Sequence, residues 1–355
     1  MWIYVGILSA IGLLALLSLS LSKNSTSLRA AVVVPAVLIL VVFIGFRDRV
    51  GADWSAYDNI FNIYERVDLR DVLTTTPIEP LYAVLNYAAH LVGGDIHLVN
   101  LACAIIMLVG LVRFAFLIDL DATLLLFLST PYLLFVVGMG YTRQAVAIGL
   151  GFAALGYWIR GKRKKFYAAA ILAVGFHYSA LFIFLLVWIK SWKQGLSVIL
   201  LALIIGYFLL PAIFPSYFAL YILNTESLHS SGVWFRLAIV LIGVAAVVLQ
   251  RRQWQKDQDA FLLLVNGSII AICLVPLAVI ASTLADRICL YLFFIYLVSF
   301  ARAIPFARHE LRFVATASIF YVTYACFFLW FATSSYAADY WIPYHSSLLN
   351  YISAM

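Results

Sequence analysis

Residues 160–165 read Arg-Gly-Lys-Arg-Lys-Lys, so this stretch carries five cations in six residues between two apolar runs. By the positive-inside rule, such a cluster belongs on the cytoplasmic side of a membrane. Two further basic loops follow, at 251–256 and at 302–312. Because these loops assign a side to the neighbouring apolar segments, they determine how the chain is expected to thread through a bilayer.

The composition excludes a soluble domain. The chain has 355 residues, of which 65% are hydrophobic and only 11% are charged, and its mean hydropathy is +1.04. The predicted fold class is all-α: a polytopic integral membrane protein with about 10–12 membrane helices, including re-entrant half-helices. Residues 1–355 are expected to form a single transmembrane domain, and the first apolar run is predicted to be a retained span rather than a signal peptide.

The apolar runs that are long enough to cross a bilayer predict the spans. They lie at roughly residues 2–22, 29–46, 98–117, 121–138, 141–159, 194–214, 233–250, 260–281, 285–302 and 312–333. With the basic loops in the cytoplasm, residues 47–97 lie on the outer face, where they form a polar loop and an amphipathic helix. The net charge of +7 reflects cytoplasmic anchoring and requires no nucleic-acid partner.

Two apolar segments do not fit a simple alternation of sides. Residues 79–93 are too short to span, and they are predicted to form an amphipathic or re-entrant helix on the outer face. Residues 166–189 join two loops that are both predicted to be cytoplasmic. A pair of re-entrant half-helices, broken near 175–179, would return the chain to the same side of the membrane. His177 then lies at the bend, where non-helical backbone is tolerated only beside a polar cavity. The alternative is one full span over 166–189, which would invert the topology after it.

Three arginines, Arg143, Arg236 and Arg287, lie at the ends of apolar runs that are predicted to share the outer side. A cation beside hydrocarbon costs roughly 3 kcal/mol or more, so it indicates a substrate path, here for an anionic headgroup. Arg143 opens a helix and therefore opposes the helix dipole. Its anionic partner is either a structural acid such as Asp53 or Asp286, or a ligand phosphate. Arg236 has a second interpretation, in which it extends to the membrane interface.

The loop from 47 to 79 holds seven of the sixteen acids of the chain. Asp53 and Glu79 differ from the other acids because each borders an apolar or aromatic element and is therefore expected to be partly buried. Carboxylates beside aromatic side chains are typical of sugar-binding sites, although a solvated outer loop is the simpler interpretation. The four cysteines lack metal-ligand spacing, and no metal site or cofactor is predicted. Nucleotide-binding, zinc-protease and serine-hydrolase motifs are absent from the sequence.

Six pieces of sequence occur in an order that resembles a known family. They are Arg49-Val-Gly-Ala-Asp53-Trp-Ser-Ala-Tyr57, Glu79-Pro-Leu-Tyr82, Arg143-Gln144-Ala-Val-Ala, Phe176-His177-Tyr-Ser-Ala-Leu181, Arg287 followed by Tyr291, and Trp341-Ile-Pro-Tyr344. Together they cover roughly residues 45–345. The chain resembles the EpsG-like family of bacterial polysaccharide polymerases, which are related in role to the Wzy-type polymerases of O-antigen and capsule.

The resemblance implies a GT-C-like glycosyltransferase that acts on undecaprenyl-pyrophosphate-linked sugars at the outer face of the bacterial inner membrane. The growing glycan would move from its lipid carrier to the non-reducing end of an incoming lipid-linked repeat unit, with inversion and without a metal. A chain-length regulator and a flippase of the same pathway are the expected partners. Alternatives are another GT-C-type transferase, a glycan ligase, a lipid-linked oligosaccharide transporter, or a scaffold without chemistry of its own.

The same resemblance divides the site residues by role, with residues 47–97 covering part of the active site. Arg143 and Arg287, with Arg236 as a third, are expected to bind the pyrophosphate, since the planar guanidinium binds phosphate oxygens bidentately. The expected proton acceptor is Asp53 or His177, then Glu79 or Asp286, with Asp53 preferred; His177 would otherwise bind a phosphate or stabilise the helix break. The remaining substrate-binding candidates are Arg49, Trp54, Tyr57, Gln144, Tyr291 and Tyr344.

Overall fold

The computed structural model describes residues 1–21, 26–64, 66–74, 78–189, 230 and 232–353, and no β-strand occurs in these ranges. The helices of the described chain are α1 (Trp2–Ser20), α2 (Thr26–Gly45), α3 (Trp54–Tyr64), α4 (Pro80–Leu91), α5 (Ile96–Leu117), α6 (Ala122–Gly140), α7 (Thr142–Ile159), α8 (Arg163–Phe176), α9 (Phe182–Trp188), α10 (Val233–Leu249), α11 (Gln258–Ile280), α12 (Ser282–Tyr291), α13 (Phe293–Phe306), α14 (Arg312–Thr333) and α15 (Ser347–Ser353). The predicted all-α fold class is confirmed.

Seven of the described helices are long and apolar enough to cross a membrane. They are Trp2–Ser20, Ser27–Gly45, Ile96–Leu117, Ala122–Gly140, Gln258–Ile280, Ser282–Phe306 and His309–Thr333. Each overlaps a predicted span, which confirms a polytopic membrane protein. The predicted span 233–250 appears as the shorter apolar helix α10, and 141–159 appears as α7, whose first turn is polar. The predicted span 194–214 lies outside the described residues, so the total of 10–12 helices stays a prediction.

The described chain divides into two compact units. Unit 1 comprises Met1–Ala180 and Phe313–Met355, and unit 2 comprises Leu181–Arg312. The sequence predicted a single transmembrane domain; the boundary at 312/313 lies at the end of the basic loop 302–312. The division at 180/181 falls just after the predicted break in the apolar segment 166–189.

Close helix packing in unit 1 positions the start of α7. A Cβ atom added at Gly110 of α5 would lie 2.3 Å from the carbonyl oxygen of Gly149 of α7, so these two backbones touch where neither residue has a side chain. Helix α7 then packs along α8, and the two are joined by a tight turn in which Gly161 has a φ of +68°. The basic stretch 160–165 therefore forms the turn of a helical hairpin.

Residues 47–53 are anchored to the C-terminal segment of the chain. Arg47 pairs with Ser346 in an isolated antiparallel bridge, and the amide of Gly51 donates to the carbonyl of Tyr340 at 2.9 Å. Gly51 has a φ of +106°, and a Cβ atom there would lie 2.3 Å from the carbonyl oxygen of Met139. Only glycine fits this position, because both the conformation and the space exclude a side chain.

The predicted break in 166–189 is present in the structure. Helix α8 ends at Phe176, His177 has an extended backbone, and a 3₁₀ turn over Tyr178–Leu181 leads into α9. The predicted outer-face helix in 79–93 also forms, as α4, which packs against α3, α5 and α8. Because α8 and α9 belong to different units, the re-entrant arrangement itself stays a prediction.

Candidate active site

An ion pair in unit 1 joins two of the predicted site residues. A guanidinium nitrogen of Arg143, in the first turn of α7, lies 2.5 Å from a carboxylate oxygen of Glu79. The Glu79 side chain is 1% exposed, whereas that of Arg143 is 24% exposed. The sequence predicted that Arg143 needs an anionic partner but suggested Asp53 or Asp286 as the structural acid; the structure provides Glu79, an acid that the sequence assigned to catalysis.

Helix termini explain why this pair forms. Glu79 occupies the N-cap position of α4 with Pro80 as the first helical residue, yet its carboxylate accepts no capping hydrogen bond. The carboxylate instead lies at the start of α7, where it compensates for a cation placed at the positive end of a helix dipole. The N-cap position fixes the Glu79 backbone, since its carbonyl accepts from the amides of Tyr82 and Ala83 at 3.1 Å.

His177 lies at the edge of the same cluster. Its Nδ1 is 3.8 Å from the second carboxylate oxygen of Glu79 and accepts a hydrogen bond from the backbone amide of Ser179 at 3.2 Å. The Ser179 hydroxyl also lies 2.9 Å from Nδ1. These contacts support the interpretation in which His177 stabilises the helix break.

Two tyrosine rings flank Arg143. The guanidinium carbon lies 5.8 Å from the ring centre of Tyr57 on α3 and 5.9 Å from that of Tyr82 on α4. The two rings meet edge to face at 5.7 Å, and both side chains are buried. Cation–π contacts at such distances restrain a guanidinium without removing its charge. The arginine is therefore held by an acid on one side and by aromatic rings on another, while a quarter of its side chain stays accessible.

The buried side chain of Arg47 holds the start of α7 in place. Arg47 lies two residues after the end of α2, is 1% exposed, and donates four hydrogen bonds, to the carbonyls of Ile44 and Val50 and to the side chains of Asn100 and Thr142. Thr142 is the residue before Arg143. A buried arginine with four hydrogen bonds thus joins the loop 47–53, helix α5 and helix α7 next to Arg143.

The other predicted residues of unit 1 lie near this anchor or along the C-terminal segment. Asp53 and Trp54 are half-buried at the start of α3, and the Trp54 ring lies 5.7 Å from the guanidinium carbon of Arg47. Arg49 is exposed with a φ of +53°, and Gln144 is buried. Tyr344 stacks on Phe43 at 4.4 Å, and its hydroxyl donates to the Phe43 carbonyl at 2.7 Å. This bond gives the Tyr344 hydroxyl a structural contact, while its role in substrate binding stays a prediction.

Unit 2 contains the other two arginines. Arg236 is 3% exposed and forms an ion pair with the buried carboxylate of Asp286. The interpretation in which Arg236 extends to the membrane interface is therefore wrong: a buried acid from α12 holds it inside the unit. Arg287 follows Asp286 and is half-buried, and Tyr291, one turn later, is buried. The convergence of all three arginines stays a prediction, since Arg143 belongs to unit 1.

The comparisons with known proteins identify the family. A model of the EpsG family matches residues 31–346, which is most of the chain. The chain belongs to the EpsG family. No curated protein and no solved structure matches it. Membership of the EpsG family supports a membrane glycosyltransferase of the polysaccharide-polymerase type, and it confirms the resemblance that the ordered motifs indicate. The GT-C-like architecture stays a prediction.

Sequence reasoning missed the structural role of Arg47 in this EpsG-family chain. Arg47 ends an apolar run just as Arg143, Arg236 and Arg287 border theirs, so the same signal was present. Its partners Asn100 and Thr142 are 53 and 95 residues away and follow no spacing that a sequence pattern reveals. Among the described residues, no three His, Cys, Asp or Glu side chains are grouped as metal ligands.

The Arg236–Asp286 pair leads to a stability prediction. Replacing Arg236 by alanine leaves a carboxylate buried without its cation, which typically costs about 3–5 kcal/mol, whereas removing both charges costs less. We expect Arg236→Ala to lower the thermal unfolding midpoint of the purified protein, and Arg236→Met combined with Asp286→Leu to recover most of the loss. If the double variant unfolds at a lower temperature than the single one, the pair does not account for the stability of this region.

Proposed function

We propose that this chain is a lipid-linked polysaccharide polymerase. It transfers a growing glycan from undecaprenyl pyrophosphate onto the non-reducing end of an incoming undecaprenyl-pyrophosphate-linked repeat unit, with inversion at the anomeric carbon and without a metal ion. Membership of the EpsG family supports the general activity. The location is the bacterial inner membrane, with the active site on the periplasmic or outer face, beside the flippase and the chain-length regulator of the same pathway.

One observation carries the proposal: a partly accessible arginine, restrained by tyrosine rings, is paired with a buried carboxylate at 2.5 Å. Glycosyl transfer from a lipid pyrophosphate develops negative charge on the leaving group, and a preorganised cation there lowers the barrier. The transfer also needs a proton acceptor for the attacking hydroxyl. Arg143 and Glu79 provide the two kinds of group within one cluster, and the buried rings of Tyr57 and Tyr82 restrain the guanidinium.

We assign the remaining residues the roles that the sequence analysis predicted for them. Arg287 is assigned to the pyrophosphate, with Arg236 as an accessory cation that its pairing with Asp286 holds in place. Asp53 and His177 remain candidate catalytic residues beside Glu79. Sugar contacts are assigned to the exposed Arg49, to Trp54, Tyr57 and Gln144 of unit 1, and to Tyr291 and Tyr344.

A glycan gel tests the proposal against its nearest alternative. Cells that lack the chain are expected to lose the ladder of polymerised glycan and to keep a single repeat unit attached to its acceptor. Restoring the chain on a plasmid should restore the ladder. Loss of every attached repeat unit would instead identify a ligase or another GT-C-type transferase, and accumulation of lipid-linked repeats on the cytoplasmic side would identify a transporter.

Arg287 gives a prediction for unit 2. We expect Arg287→Ala to abolish the ladder while the amount of chain in the membrane stays at the wild-type level, because the leaving pyrophosphate loses a cation. Arg251→Ala, which removes an exposed cation from a basic loop of the same unit, is the matched control and should leave the ladder unchanged. Long glycans made by the Arg287→Ala variant would remove Arg287 from the pyrophosphate site.

A further inference from the structure

We infer that Glu79 is the proton acceptor of the transfer and that the donor activates it by drawing Arg143 onto its pyrophosphate. The inference rests on the proposed function and adds an order of events to it. In the resting protein the Arg143–Glu79 ion pair keeps both groups occupied. When the donor pyrophosphate binds Arg143, the carboxylate loses its counter-ion and becomes free to accept the proton of the attacking hydroxyl.

Arg143 places a positive charge 2.5 Å from the Glu79 carboxylate. The carboxylate is 1% exposed, so water contributes little to its solvation. The Nδ1 of His177 lies farther from the carboxylate, at 3.8 Å compared with 2.5 Å for the guanidinium nitrogen of Arg143. Tyr178 also interacts electrostatically with Glu79, but a neutral phenol brings no positive charge. Loss of the Arg143 contact therefore leaves the buried carboxylate without its close cation.

Arg143, rather than Glu79, is the partner that a ligand can reach and draw away from the ion pair. Its side chain is 24% exposed and long, so an anion in the accessible space can reach the guanidinium. The position of Glu79 is fixed, because its side chain is buried, its backbone starts α4 and its carbonyl accepts from the amides of Tyr82 and Ala83. A pyrophosphate also offers more oxygens than one carboxylate, in the geometry that a guanidinium binds bidentately. Binding therefore shifts Arg143 toward the ligand and leaves Glu79 in place.

Once Arg143 binds the pyrophosphate, Glu79 can take part in the transfer as a proton acceptor. A buried carboxylate that has lost its cation is a stronger proton acceptor. The hydroxyl oxygen of the acceptor sugar forms the new bond to the anomeric carbon, and the hydroxyl proton moves to the Glu79 carboxylate. The bond between the anomeric carbon and the pyrophosphate oxygen breaks, and its electron pair leaves with undecaprenyl pyrophosphate, which Arg143 stabilises. The base is thus strongest when a donor is present.

Glu79→Gln separates this account from a structural role. The purified protein in lipid nanodiscs is titrated with undecaprenyl pyrophosphate, and turnover is measured with a lipid-linked repeat unit. Because the variant removes the competitor for Arg143, we expect it to bind undecaprenyl pyrophosphate about tenfold more tightly. Turnover is expected to fall about 10²-fold or more, because the proton acceptor is gone. Asp68→Asn, which changes an exposed acid of the same outer loop, should alter neither quantity.

The outcomes separate the inference from the proposed function. Weaker binding by Glu79→Gln would show that Glu79 merely positions Arg143, and wild-type turnover would show that another group takes the proton; either result overturns the inference alone. If Glu79→Gln does not fold, Glu79→Asp keeps a shorter carboxylate and is expected to bind more tightly with reduced turnover, and weaker binding would again overturn the inference. A wild-type chain that does not bind undecaprenyl pyrophosphate would overturn the proposed function as well.

Discussion

Replacing Arg143 by alanine is expected to abolish the glycan ladder while the amount of chain in the membrane stays at the wild-type level. Arg143 is the accessible cation of the cluster with Glu79, Tyr57 and Tyr82. Removal of one preorganised group that stabilises developing charge typically lowers turnover by about 10²–10³-fold. Such a loss stops chain growth after the first repeat units, which a glycan gel of cells that express the variant detects directly.

Two further variants make this result specific. Arg143→Lys retains a positive charge but not the planar guanidinium, so we expect it to restore the ladder poorly. Arg66→Ala removes an exposed cation from the loop between α3 and α4 and should leave the ladder intact. Long glycans in cells that express Arg143→Ala would contradict the assignment of Arg143 to the pyrophosphate. A full ladder with Arg143→Lys would show that charge alone is sufficient.

Arg47→Ala is expected to cause a large loss of stability. Burial lowers the pKa of Arg47 to about 10, so the guanidinium stays charged at neutral pH. Its four hydrogen bonds join the end of α2 to Val50, Asn100 and Thr142. Alanine leaves these buried acceptors without donors and opens a cavity, and together these effects cost about 3 kcal/mol or more of unfolding free energy.

Thermal unfolding in detergent measures the effect of Arg47→Ala, with Arg66→Ala as the exposed control. We also expect Arg47→Lys to unfold early, because one ammonium group cannot reach acceptors on three separate elements. Since Thr142 precedes Arg143, any chain that still folds should lose polymerisation together with stability. An unfolding midpoint equal to that of the wild type would contradict the view that Arg47 holds the start of α7.

Local features of the structure were predictable from the sequence. The spans follow from the lengths of the apolar runs, and the break at His177 follows from a polar, glycine-containing interruption of an apolar segment. The spans and the break both depend on residues that are close together in the sequence. The short helix α4 was predictable for the same reason, because its apolar run is too short to cross a bilayer.

Pairings between distant residues were not predictable in this way. The sequence indicated that Arg143 needs an anion, but the choice of Glu79 depends on how the fold brings together two residues that are 64 positions apart. The pair between Arg236 and Asp286 similarly depends on the packing of α10 against α12. Such contacts follow no periodic pattern in the amino-acid sequence. Roles that resemblance assigned to Asp53, Arg49 and Tyr291 stay predictions for the same reason.

The most direct test of the polymerase assignment is a reconstitution. The purified chain, in lipid nanodiscs with no other protein, is supplied with a defined undecaprenyl-pyrophosphate-linked repeat unit. The account predicts a ladder of lengthening lipid-linked glycans and the release of undecaprenyl pyrophosphate in proportion to the bonds formed, with both products absent for Arg143→Ala. If the wild-type chain leaves the repeat unit unchanged, or releases undecaprenyl pyrophosphate without lengthening any glycan, the chain is not the polymerase.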